Sequence, residues 1–245
     1  EATIRDAEAA IGGADVVVVV GSGTMTDFAK DVTSRGARPP LVVVQTAASV
    51  NGFADDMSVL LKAGTKRTTP TRWPDTLLID LRVLASAPVE MNVAGLGDLM
   101  AVWTAPADWR LASLLGQDET YHPAPEAIVR ERVRGLLGRA GGIPEGDRDV
   151  LAELARTLTA SGVSMGIAGV TSPSSGSEHV VSHLIDMARE QDGTPLAFHG
   201  AQVGVATAVV AAAWELLLAG DDLAGGGEFA YPSDAEMEPV VRAAF

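Results

Sequence analysis

The 245 residues include no cysteine, which excludes disulfides, thiolate nucleophiles, cysteine-bound zinc and iron–sulfur clusters. Any metal must therefore sit on histidine and carboxylates. The absence also suits a reducing compartment, so a cytoplasmic protein is expected. Positive charge is scarce: 18 Lys and Arg stand against 32 Asp and Glu, for a net charge of −14. Such a surface repels phosphate backbones and anionic lipid, so nucleic acid is not an expected partner. No uninterrupted apolar run reaches the roughly 18 residues of a membrane span, and no integral membrane segment is expected. The chain has no charged-then-apolar leader. It opens inside an amphipathic stretch (Ile4, Ala7, Ala10, Ile11) and stops in another helix-like run after Pro232, so further residues are expected at both ends.

What is present divides near Pro88. Before it, Val16 to Val20 are consecutive valines between Asp15 and Gly21. A β-branched run without alternation reads as a parallel-sheet strand covered on both faces. A helix from Thr24 to Lys30 and strands at Leu41–Val44 and Leu77–Asp80 complete a βαβ pattern, with Ser58–Thr71 as a ribbon or loop excursion at the carboxyl edge, where ligands bind. After Pro88 the texture is Ala/Leu-rich and helical: Asp98–Leu115, Pro125–Leu137, Asp147–Ser161, Ser177–Arg189 and His199–Leu218. The expected fold is α/β, a partial nucleotide-binding domain with parallel strands over residues 1–87, followed by an all-helical domain over 88–245 that is incomplete at its C-terminus.

Gly21-Ser22-Gly23-Thr24 joins a strand to a helix, where free amides can hold a pyrophosphate. Without full GxGxxG spacing it can equally be a plain turn. His179 and His183, four residues apart, share one helix face, and His199 opens a long apolar helix. Two histidines with a carboxylate suit a divalent metal with an open position. The best acid is Asp98 in AGLGDLM, placed at a helix start, where N-capping is its ordinary alternative. His122, in a loop, reads as structural. Of only three lysines, Lys62 and Lys66 cluster with Arg67 in LLKAGTKRT, a phosphate clamp or a solvated hairpin tip.

The ordered set GSGTMTD, TAASVNGFA, GTKRT, GLGDLM, SGSEHVVSH and HGAQVGV resembles the sn-glycerol-1-phosphate dehydrogenase group of the dehydroquinate synthase-like and iron-containing alcohol dehydrogenase superfamily. The resemblance implies that Asp98, His179 and His199 bind a divalent metal, zinc in the first place with Fe2+ or Ni2+ as alternatives, and that His183 lies near the reacting carbons. It places Gly21, Ser22, Gly23, Thr24 and Asp27 around the cofactor pyrophosphate, Thr46 and Ser49 near the nicotinamide, and Lys66 near phosphate. Where the family has S-x-D-G this chain reads Ser49-Val50-Asn51-Gly52, so Asn51 puts a neutral amide in a substrate-binding position. The implied activity is a metal-dependent NAD(P) oxidoreductase acting on a small, phosphorylated ketone or its secondary alcohol, dihydroxyacetone phosphate by default. A lyase or cyclase that uses NAD transiently and a non-catalytic binding protein are the alternatives. NAD against NADP and homo-oligomerisation are left open.

Overall fold

The structure is a computed structural model that describes residues 2–35, 38–62, 64–220 and 233–244. Helix α1 (Ala2–Ile11) leads to strand β1 (Val17–Gly21), helix α2 (Gly23–Thr33) and strand β2 (Leu41–Gln45). A 3₁₀ turn at Gly52–Ala54 precedes the hairpin of β3 (Met57–Lys62) and β4 (Thr65–Pro70), and β5 (Thr76–Ile79) returns to the sheet. The sheet order is β1-β2-β5 with both pairings parallel, in the register Val17↔Leu41 and Val42↔Thr76. The antiparallel ribbon β3-β4 turns at Gly64, whose φ of 76° favours glycine. Asp80 caps α3 (Leu81–Ser86) by accepting from the Arg82 amide at 2.8 Å.

The helical part follows as α4 (Val89–Leu99), α5 (Ala105–Leu114), α6 (Ala124–Leu137), α7 (Arg148–Ala168), α8 (Ser177–Gln191), α9 (His199–Ala219) and α10 (Asp234–Ala244). One core cluster joins Leu84, Leu99, Val133, Leu136, Leu151, Leu154 and Leu158 across α3, α4, α6 and α7. A smaller one lies between the sheet and α2, built on Val19, Ala29, Leu41, Val43 and Phe53.

Two expectations are corrected here. The valine run is not covered on both faces: Val17 and Val19 face the core, whereas Val18 and Val20 are 56% and 61% exposed. The pleat sends alternate side chains to opposite faces, and α2 packs on only one of them. Second, Asp98 stands in the last turn of α4, not at a helix start, so the capping alternative falls away. The expected helix over Asp98–Leu115 is broken by a 3₁₀ turn at Met100–Trp103 and restarts as α5, with Pro106 in its first turn, where a missing N–H costs nothing. Helix α9 is long and apolar enough, at mean hydropathy 1.7, to cross a membrane by length and composition, but a single such helix leaves the expectation of no membrane segment standing. Its first half packs against α4 and α8, burying Val203, Ala206 and Thr207, while Val205, Val209 and Leu216 stay exposed.

Candidate metal and cofactor site

Three helices bring the expected ligands to one point. Asp98 comes from the last turn of α4, His179 from the first turn of α8 and His199 from the first residue of α9. Their ligating atoms all lie within 4.8 Å of one another. Asp98 Oδ1 is 3.5 Å from His179 Nε2 and 3.6 Å from His199 Nε2. Glycines permit this approach: a Cβ at Gly97 would collide with the Gly200 carbonyl, and one at Gly200 with the Ala94 carbonyl. Backbone therefore touches backbone where α4 crosses α9.

The other polar atom of each ligand is occupied. Asp98 Oδ2 accepts from the Asn51 amide at 2.8 Å. His179 Nδ1 lies 2.9 Å from Glu178 Oε1, and Glu178 Oε2 accepts from Thr104 at 2.7 Å. His199 Nδ1 lies 2.9 Å from Ser182 Oγ. Partners behind each imidazole turn its Nε2 towards the shared point, the arrangement that orients histidines on a metal. Asp98 Oδ1 is buried and has no hydrogen-bond partner among the described residues. A buried acceptor left this way costs about 1–3 kcal/mol unless a cation or proton meets it, so the donor set fits a divalent ion.

The charges around this point are strongly shifted. Burial would pull His179 down, but the Asp98 and Glu178 carboxylates beside it outweigh that and raise the imidazole to about 9. Burial would raise Asp98, yet the neighbouring His179 and His199 imidazoles hold it below the usual carboxylate range. His199 is pushed down to about 3, by burial foremost, against the attraction of Asp98. Burial, Lys66 and His179 push His183 down to about 4, so it is neutral at neutral pH rather than poised near 6.5.

Two cavities meet at His199. One, of about 140 Å³, is lined by Asn51, Lys66, Ser174, His179 and His183 among others. The second, of about 370 Å³, is lined by Ser22, Gly23, Thr24, Ser49, Lys66 and Phe198. Helices α2 and α9 both start on that second cavity, and neither Ser22 nor Phe198 caps its helix with a side chain. Gly21 ends β1 beside this turn, and a Cβ on Gly23 would stand 2.7 Å from Val50 Cγ2.

Other expected residues are placed differently. Asp27 lines the smaller cavity with Gly23 and Thr24, and it also pairs with the fully buried Lys30 at 3.2 Å and accepts from the Val59 amide. Thr46 follows β2 with its amide bonded to the Gly21 carbonyl and lines neither cavity. Lys66 reaches the cleft from β4, but not as a free cation, since its ammonium sits 2.5 Å from Asp186. The side chain of Asn51 donates to Ser161, itself bonded to Ser174. His122 accepts from the Ala124 amide, a loop-fixing role. Sequence reasoning missed Glu178, Ser182 and Asp186, although positions 179, 182, 183 and 186 share one helical face and pointed to them.

A sequence profile described as iron-containing alcohol dehydrogenase matches residues 1–88. The glycerol-1-phosphate dehydrogenase [NAD(P)+] of Bacillus licheniformis is 36% identical over 192 residues, 78% of this chain and 47% of that protein. That of Pyrococcus furiosus is 34% identical over 79% of this chain and 54% of its own. The chain thus spans about half the length of the curated relatives it matches. Among solved structures, a probable glycerol dehydrogenase from Sinorhizobium meliloti aligns with a TM-score of 0.67 and 21% identity, covering 84% of this chain and 59% of that one. An iron-containing alcohol dehydrogenase from Thermotoga maritima aligns at 0.62 and 18%, covering 98% and 72%. The motifs quoted from the sequence, the parallel sheet followed by helices and these relatives agree: the chain has the fold of iron-containing alcohol dehydrogenases and is similar in sequence to that family over residues 1–88 and to glycerol-1-phosphate dehydrogenases over about four fifths of its length.

Proposed function

We propose that this chain is the site-bearing part of a metal-dependent, NAD(P)-linked alcohol dehydrogenase that interconverts a small phosphorylated ketone and its secondary alcohol. The observation that carries the reading is Asp98 Oδ1, buried without a hydrogen-bond partner among the described residues, with two imidazole Nε2 atoms 3.5 and 3.6 Å away. Asp98, His179 and His199 would hold the metal, zinc or, as the family's name suggests, iron. When bound, the metal polarises the reacting oxygen and the nicotinamide supplies or accepts the hydride.

The chain's own residues supply position and proton handling. Uncapped amides at Gly23 and Thr24 receive the cofactor pyrophosphate, since a helix N-terminus carries partial positive charge. His183, neutral and facing the smaller cavity, exchanges a proton with the alcohol oxygen through one ring nitrogen and with solvent through the other. Asn51 offers the substrate a neutral hydrogen bond in place of the family's carboxylate. Lys66 receives the phosphate end by exchanging its bond to Asp186. The sheet-bearing residues 1–87 form the cofactor side and 88–245 the metal side of the cleft.

The test combines zinc and Fe2+ equilibrium dialysis with NAD(P)H oxidation by dihydroxyacetone phosphate. His179→Ala is expected to lose both metal and turnover, whereas His183→Ala keeps the metal and loses on the order of 100-fold in kcat. Equal metal loss in both variants would make His183 a ligand or a ligand support. No metal uptake by the unaltered chain would remove the reading.

A further inference from the structure

We propose that Asp186 is a positioning residue that fixes the tautomer of the metal ligand His199 through a one-way chain of hydrogen bonds. The proposal rests on the metal reading above. Asp186 lies three hydrogen bonds from His199, on α8, with its Oδ2 in the salt bridge to Lys66. Its Oδ1 accepts from Gln202 Nε2 at 2.9 Å.

The direction of every link follows from that carboxylate. An ionised carboxylate can only accept, so Gln202 must turn its NH2 towards Asp186 and its Oε1 the other way. Gln202 Oε1 can also only accept, and it lies 2.7 Å from Ser182 Oγ. The single proton of Ser182 is therefore committed to Gln202. Ser182 Oγ then has only lone pairs to offer His199 Nδ1 at 2.9 Å, so Nδ1 carries the hydrogen. The lone pair is left on Nε2, which faces Asp98 Oδ1. Reversing one link would set two donors or two acceptors against each other.

Burial makes such a mismatch expensive. Ser182, Asp186 and Gln202 are all buried, at 0%, 5% and 8% exposure, and water cannot repair a reversed bond there. The spacing is also built in: Ser182 and Asp186 are one turn apart on α8, and His199 and Gln202 are one turn apart on α9. His179 needs no such chain, because Glu178 meets its Nδ1 directly. A ligand histidine without a neighbouring carboxylate thus borrows one from Asp186 on the adjacent helix α8.

The experiment uses the full chain with 15N-labelled histidine, metal-free and at mildly alkaline pH, where long-range proton–nitrogen correlation spectra separate the two tautomers. Cobalt(II) titration, followed by its d–d absorbance, is run beside it on the unaltered chain, Gln202→Met and Asp186→Asn. Expected are Nδ1–H at His199 in the unaltered chain, a mixture of tautomers in both variants, and cobalt affinity lowered about tenfold. Asp186→Asn is nearly isosteric and decides the matter if Gln202→Met does not fold. An unchanged tautomer in the folded variants overturns the proposal, even if affinity falls, because that pattern is general loosening. A changed tautomer with unchanged affinity overturns it as well. Failure of the metal reading looks different: the unaltered chain would show Nδ1–H and take up no cobalt.

Discussion

Lys30 has no exposed surface, so the partners of its amine must all come from within the protein. Its ammonium donates to the Gly52 carbonyl at 2.8 Å, to Asp55 at 2.6 Å and to the Met57 carbonyl, with Asp27 at 3.2 Å. This ties α2 to the start of the ribbon. Removing one partner of a buried pair leaves uncompensated charge, so Lys30→Met should cost about 3–5 kcal/mol in urea unfolding. Asp27 gives the cluster a pH signature. Burial foremost, against the pull of Lys30, raises its carboxyl to about 6 from an ordinary 3.8. Between those values the unfolded chain has lost a proton that the folded chain keeps, so stability falls as pH rises through the window. Asp27→Asn removes the titration. The variant's stability relative to the unaltered chain should therefore rise from pH 4 to pH 7, and a flat difference in urea melts would refute this. Lys30 was legible in the sequence only as one of three lysines, because nothing local to residue 30 names Asp55 as its partner. The expected ligands Asp98, His179 and His199 were legible mainly through the resemblance of the motifs around them, since helical spacing alone pairs His179 with His183 and the glycines beside Asp98 suggested a helix start instead of its end.

At the scale of elements, small residues misled the sequence reading at one helix and explain it at another. The chain reads as though its fourth expected helix ends at Ser161, but α7 continues to Ala168. Gly162 and Gly166 there are not turn residues. A Cβ at Gly162 would stand 2.6 Å from the Asn51 carbonyl, and one at Gly166 would enter the Trp73 ring. Composition alone cannot separate a glycine that bends a chain from one that admits a neighbour, because the neighbour is remote in sequence. The same logic yields opposite outcomes for one substitution. Gly97→Ala should cost about 3 kcal/mol or more and weaken metal binding, since it forces α4 off α9. Gly135→Ala, inside α6 with nothing within 4 Å of the added methyl, should gain about 1 kcal/mol. Urea melts of the two variants compare them directly. The strands were legible to within a residue or two, whereas the break between α4 and α5 was not, its only local sign being Pro106.

Over the whole molecule, apolar surface and charge are unevenly placed. The open sheet face presents Val18, Val20 and Leu78, and the α8–α9 side presents Val180, Leu184, Val205 and Val209. Contiguous apolar surface of this kind binds hydrophobic dyes and promotes association. Val18→Thr with Val20→Thr should reduce dye fluorescence and light scattering while changing stability by less than about 0.5 kcal/mol. The charge of −14 acts against anions over most of the surface, and at one cavity the backbone opposes it. Helices α2 and α9 both begin, uncapped, on the larger cavity. Aligned peptide dipoles leave about half a positive charge at each such end. Peptide groups do not titrate, so the pull this cavity exerts on a phosphate-bearing ligand should persist across the alkaline range in which an attraction built on histidine would fade. An anion held there would owe the main chain a share of its binding that no shift in the acidity of the surroundings withdraws.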